Sequence, residues 1–287
     1  MSVTPIEAGH LDEVGRFLNT HLNSRISAAN WIGSLRHEWS AARPNYGMQL
    51  RDADKLVGVM LAVYSDQNIN GTTERFCNPH SWCVLPDYRN HGIGLVLHLI
   101  KQTGFHLTML TPNPKVAQIF RGLRFKDLDD RLLVFPNLPS PAALLPGRFV
   151  ETDLDRIAAR LAEAGADSVR QDLEQHRQIS WLRFMAFGSG RDVCLIVYKP
   201  STWKRLPSAR IIHVSDAAAL ERYRGLMQYG LLAKQGFVTS RVEARFLSRT
   251  PPLAYRTKRT QAKLFQSRSL KDSQIRDLYS ELVALDV

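Results

Sequence analysis

Apolar residues recur at helical spacing through 11–22, and Ser27 is placed to cap a second helix running to Trp39. Pro44 and Gly47 break that pattern, and 46–51 and 56–64 then predict two strands around the polar turn 52–55. A third strand is expected from about Arg75 to Leu85, ending at Pro86, which cannot continue a central ladder. A short loop, 87–91, opens into an apolar helix over 92–103, and 105–110 predicts a further strand. Pro114 suits the first turn of a helix reaching Gly122, and 125–127 with 131–135 predict a closing hairpin. The order β-α-α-β-β-β-α-β-α-β-β implies an α/β protein (an α+β mixed sheet) with helices on the faces of the sheet.

Residues 137–147, NLPSPAALLPG, hold three prolines and a glycine and read as an interdomain linker. This divides the chain into a first domain at 1–136 and a second at 148–287. In the second half, 153–164 and 167–178 predict helices, and 181–187 and 193–199 predict a hairpin around GSGRD. A strand at 209–214, a helix at 217–235 and a late strand at 237–247 follow. The two halves share a coarse element order, and WIGSLRHEW (31–39) and SWLRFMAFG (180–188) share faint identity, which suggests an internal duplication.

At 44% hydrophobic and 23% charged residues, the 287-residue chain has the composition of a soluble globular protein able to fill a core. No apolar run approaches the ~20 residues of a membrane span. The N-terminus does not read as a signal peptide. Cys77, Cys83 and Cys194 lack metal spacing and their odd number argues against a disulfide framework, which points to a reducing, cytoplasmic setting. No metal site is expected. The formal charge of +11 would draw anions such as CoA or acidic metabolites. It is spread along the chain, with some density at Arg256, Lys258, Arg259, Lys263, Arg268 and Lys271. No basic block is interleaved with aromatics, so nucleic acid is a disfavoured partner.

The informative stretch runs from Trp82 to Leu95, where a strand feeds a short loop that opens directly into a helix. Gly92 and Gly94 have no Cβ and let the backbone approach a ligand closely. The first amides of the helix have no intrahelical acceptors and, with the positive end of the dipole, suit a pyrophosphate. Arg89 adds a cation with a fork of donors.

Val84-x-Pro86-x-Tyr88-Arg89-x-x-Gly92-Ile93-Gly94 resembles the acyl-CoA signature of the Gcn5-related N-acetyltransferase (GNAT) superfamily. A second family element follows, with Asn113 as its Asn, Phe120 in the Tyr place, Arg124 in the Gly place and Phe125 as its Phe. The resemblance covers roughly residues 1–136. It implies a GNAT fold, a β-bulge on the third strand, and acetyl-CoA or another acyl-CoA as co-substrate. It also implies that Arg89, Asn90, His91, Gly92, Ile93 and Gly94 bind the pyrophosphate. Trp82 and Val84 would pair with the pantetheine arm, and Asn113 and the helix carrying Phe120 would line its other side. If the second half is GNAT-like too, it is a degenerate copy without the CoA loop.

The activity implied is an acyltransferase, moving an acetyl or short acyl group from CoA to an amine of a small molecule or sugar, in a monomer or homodimer. Phe120 has no hydroxyl and cannot be the proton donor that the family's Tyr supplies. An inactive CoA-binding regulatory or interaction module is the alternative this suggests. Strand alternation places Asn78, His80, Trp82 and Val84 on one face. His80 is the first candidate for the catalytic base, and Glu74 at the strand entrance is the second. His37, Glu38 and Trp39 lie where the family often binds acceptors, although a solvated helix face with Trp39 packed inward is the preferred reading.

Overall fold

The structure, a computed structural model, describes residues 1–141, 145–257 and 262–285. The chain forms two compact units, Met1–Leu128 with Gln261–Val287, and Asp129–Thr260.

In the first unit the chain order is β1 (Ser2–Pro5), α1 (Leu11–His21), α2 (Ala28–Gly33), β2 (Gly47–Asp52), β3 (Lys55–Ile69) and β4 (Thr72–Val84). Then come α3 (Ile93–Ile100), β5 (His106–Met109), α4 (Pro114–Gly122) and β6 (Lys126–Asp127). The expected helix after Ser27 is capped as anticipated, with the Asn30 amide donating to Ser27 Oγ at 3.1 Å, but it stops at Gly33. The strands around the β3–β4 turn are longer than expected, joined by Asn70-Gly71 with φ of 54° and 87°. Those positive angles belong to the tight hairpin turns that favour Asn-Gly.

The period of two along β3 divides the core. Met60, Ala62 and Tyr64 pack with Leu95, Leu99 and Phe120 on the α3–α4 side, whereas Val59 and Leu61 pack with Val14, Leu18 and Trp31 on the α1–α2 side.

The second unit holds β7 (Leu132–Pro136), β8 (Arg148–Glu151), α5 (Leu154–Ala164), α6 (Asp167–His176), β9 (Arg183–Ser189), β10 (Asp192–Trp203) and β11 (Leu206–Val214). The anticipated helix over 217–235 is broken into α7 (Ala217–Arg222), α8 (Arg224–Tyr229) and a π turn at Gly230–Lys234. A Cβ at Gly230 would stand 2.6 Å from Val150 Cγ1, so close packing explains that glycine. β12 (Thr239–Glu243) and β13 (Tyr255–Arg256) complete the unit. The chain then returns to the first unit with β14 (Leu264–Gln266) and α9 (Glu281–Ala284).

Among the described residues each unit has a seven-stranded sheet, ordered β1-β2-β3-β4-β5-β14-β6 and β8-β9-β10-β11-β12-β7-β13. The expected hairpin of 125–127 with 131–135 does not form. β6 pairs with β14, and β7 pairs with β12 and β13. The division at 136/148 is corrected for the same reason, since β7 belongs with the second sheet and residues after 261 with the first. Each sheet therefore receives its sixth-place strand from the far end of the other half's sequence. The stretch 137–147 leads from β7 into β8, and 142–144 lie outside the described residues.

Of the C-terminal cations, Lys263 is buried in an ion pair with Asp277, while Lys258 and Arg259 lie outside the described residues. Cys77, Cys83 and Cys194 are buried free thiols. Among the described residues no helix is long and apolar enough to cross a membrane.

Leu264 is fully buried on β14, between β5 and β6. Leu264→Ala should cost about 2–5 kcal/mol of stability, read as a lower urea midpoint. An unchanged midpoint would show that β14 does not hold the first sheet.

Candidate functional site

The site is built on an irregularity of β4. Against β3, Cys83 faces Val59 and His80 faces Leu61, so β4 carries one residue more than its partner. This is the expected β-bulge, centred on Ser81, whose φ of 52° lies in the left-handed region. The extra residue reverses the alternation. Trp82 and Val84 pack on the α3–α4 side with Cys77, and Cys83 turns to the α1–α2 side. The expectation that Asn78, His80, Trp82 and Val84 share a face fails for this reason.

Parallel pairing of β4 with β5 is confined to Phe76↔His106 and Cys77↔Leu107, beyond which the strands part into a wedge. The Leu85 amide donates to Val57 O at 2.9 Å, on the β3 side. Alternation then turns the main-chain groups of Val84 toward the wedge. Asn78 spans the base of the wedge. Its Nδ2 donates to Thr108 O and its Oδ1 accepts from the Glu281 amide, both at 3.1 Å. Thr111 Oγ1 donates to Glu281 Oε1 at 2.8 Å, so α9 is pinned to both strands.

Between β4 and α3, Pro86–His91 forms a 3-10 turn. The Tyr88 hydroxyl donates to Asp52 Oδ2 at 2.9 Å and fastens this turn to the β2–β3 hairpin. Arg89, Asn90 and His91 are exposed, and among the described residues no carboxylate pairs with Arg89. Gly92 has an ordinary helical φ of −60°. What demands glycine is space, because a Cβ would lie 3.1 Å from Val84 Cγ2 and 3.3 Å from Arg89 O. The Gly92 and Leu95 amides are closed onto Arg89 O and Gly92 O, while Ile93 and Gly94 stand in the first turn, where amides lack intrahelical acceptors. These features fit a pyrophosphate: an open helix N-terminus, a free guanidinium and a bare glycine.

The other expected residues have mainly structural partners. Asn113 caps α4, its Oδ1 accepting from the Val116 amide at 3.0 Å. Phe120 is fully buried, edge-on to Phe125 at 4.8 Å. Arg124 has φ of 67°, which explains why glycine suits that place. Glu74 accepts a 2.9 Å contact from His106 Nε2 at the closed end of the wedge, away from the loop. His80 is buried on the α1–α2 side, and desolvation pushes its imidazole down to about 3. Its Nδ1 lies 2.9 Å from Ser81 Oγ, and its Nε2 has no hydrogen-bond partner. An imidazole this weakly basic stays neutral at physiological pH and is a poor proton acceptor.

His37 stacks on Trp39 at 4.5 Å, and Trp39 meets Tyr279 edge-on at 5.5 Å, so both belong to the packing beneath α9. Sequence reasoning missed Asn78 as a bridge, and missed Thr111 and Glu281 altogether.

No family model and no curated protein sequence matches the chain. Solved structures do. A GCN5-related N-acetyltransferase from Anabaena variabilis aligns with a TM-score of 0.62 at 10% identity, covering 92% of this chain and 72% of that one. One from Kribbella flavida gives 0.58 at 16% identity, covering 92% and 70%. A probable N-acyltransferase from Enterococcus faecalis gives 0.58 at 12%, covering 92% and 71%. The chain therefore has the fold of the GCN5-related N-acetyltransferases.

Arg124→Gly should stabilise the protein by about 0.5–1 kcal/mol, by relieving a left-handed non-glycine residue at the end of α4. Thermal unfolding reads this directly, and a loss of stability would contradict the assignment of strain to that residue.

Proposed function

We propose that the first unit transfers an acetyl or short acyl group from CoA to an amine of a small molecule or sugar. The observation that carries this reading is the coincidence of an open β4–β5 wedge with the Arg89–Gly92 turn at the start of α3. Bound acyl-CoA would supply the acyl group as an activated thioester. Arg89 and the first-turn amides of α3 would hold its pyrophosphate by charge-assisted hydrogen bonds. The free edge of β4 at Val84, with Trp82 beside it, would hold the pantetheine arm as an added strand. Asn78 would fix the base of the wedge by tying its two walls to each other and to α9.

The second unit is read as a copy of the same fold that has lost the donor site. Its strand order matches that of the first, and β11 carries an extra residue against β10 between Ile211 and His213, as β4 does against β3. In place of a phosphate turn, Asp216 caps α7, its Oδ1 accepting from the Ala219 amide at 2.9 Å. A carboxylate at that helix start occupies an amide and repels an anion.

Arg89→Ala, at an exposed position, should weaken CoA binding about tenfold or more, the value of a lost charge-assisted hydrogen bond. Gly92→Trp should abolish binding by filling the turn. Calorimetric titration with CoA checks both, with circular dichroism confirming the fold. Affinity within twofold of wild type for Arg89→Ala would count against the loop. For the activity itself, thiol release from acetyl-CoA should rise above background with at least one class of amine.

A further inference from the structure

Glu281 is a carboxylic acid in an unusual position. It lies 3% exposed at the start of α9, and the segment carrying it reaches the wedge from the opposite end of the sequence. Two of its groups are fixed: the amide on Asn78 Oδ1 of β4 and Oε1 on the Thr111 hydroxyl just past β5. The second carboxyl oxygen, Oε2, is buried and has no hydrogen-bond partner. A buried polar atom left unpaired costs about 1–3 kcal/mol, and a carboxylate oxygen more. Such an atom, on a side chain held between Asn78 of β4 and Thr111 just past β5, is suited to a ligand proton. His80, on the same face of β4, offers a second unpaired atom, Nε2, but it is neutral.

We infer that Glu281 is the general base of the acyl transfer proposed above, and the inference rests on that reading. Glu281 Oε2 accepts the proton that the acceptor nitrogen sheds as its lone pair forms the C–N bond and the C–S bond breaks, the sulfur leaving with its electron pair and taking a proton from water. The carboxylate then returns its proton to solvent. Neither Phe120 in the core nor Glu74 in its pair with His106 is placed for this.

The electrostatics agree with the geometry. Burial pushes the Glu281 carboxyl up to about 7, opposed by the Thr111 hydrogen bond and the charge of Lys263, while Asp277 pushes the same way as burial. Lys263 and Asp277 are themselves ion-paired and act on Glu281 in opposite directions. A base with this affinity is half-ionised near neutral pH, the range in which proton transfer from an amine is best matched.

The test pairs Glu281→Gln, which keeps size and can still accept from Thr111, with Thr111→Val. In wild type, kcat for thiol release should rise with pH through an ionisation near 7. In Glu281→Gln this limb should vanish and kcat should fall about 100-fold or more, with CoA affinity unchanged by calorimetry. In Thr111→Val the limb should move to higher pH, because the bond that favours the ionised carboxyl is gone.

Melting temperature gives a readout independent of turnover. The folded carboxyl is raised from 4.5 to about 7, so its protonated form favours folding below about 4.5, and this is lost as pH rises through about 7. Wild type should therefore drop relative to Glu281→Gln across that window. An active wild type whose Glu281→Gln variant keeps its limb and a kcat within threefold overturns the role of Glu281 alone. A wild type that binds CoA yet releases no thiol with any amine overturns both this inference and the acyl-transfer reading.

Discussion

The structure turns on a single pairing requirement. β5 and β6 are consecutive in the chain but are not neighbours, and the place between them is filled by β14. Left empty, that gap would expose the amides and carbonyls of two strand edges, which a buried sheet does not tolerate. β14 is three residues long, yet Leu264 and Phe265 are buried and Gln266 Nε2 donates to Leu123 O at 3.0 Å. Its register also positions the segment that leads to α9. From β14 the chain runs past Asp277, paired with Lys263, and on to α9, whose Glu281 joins Asn78 and Thr111. The wedge thus takes one wall-spanning contact from a segment that enters the unit only through β14.

A second constraint is the parity of β4. One extra residue at Ser81 moves Trp82 and Val84 to the face where α3 and Gly92 pack, while Asn78 and His80 remain on the face of α1 and α2. An unbulged strand would offer all four to the same side. The bulge lets one strand present Trp82 and Val84 to one side of the sheet and Asn78, with α9, to the other. The pairing of β4 with β5 stops after Cys77, between these two groups of residues.

The turn and its glycines were legible in the sequence because everything they need is within a dozen residues: a strand, Pro86, Arg89, Gly92 and the first turn of α3. The capping of α2 by Ser27 and of α4 by Asn113 was legible on the same local terms. What escaped was long-range. Residues 132–136 carry the same alternation whichever sheet they join, so the sequence pattern could not reveal that β7 lies beside β12. Glu281 and Asn78 are joined across a separation of 203 residues, with no local spacing to betray the contact. Asn113 also caps α4 and Phe120 also packs in the core, structural duties that the same residue types left unmarked in the sequence.

The exchange of strands also bears on how the protein is made. During synthesis the first unit emerges with α3, the Pro86–His91 turn and both walls of the wedge in place, but with the gap beside β5 open. The second sheet, by contrast, already has β7 in hand when β12 emerges. The second unit can therefore close while the chain is still growing, whereas the first must wait for residues 264–266 to leave the ribosome. A chain cut short before residue 264 would carry the whole Pro86–His91 turn and still lack both the strand that seals its sheet and Glu281. The first sheet is thus sealed only after the sequence of the second unit has been made.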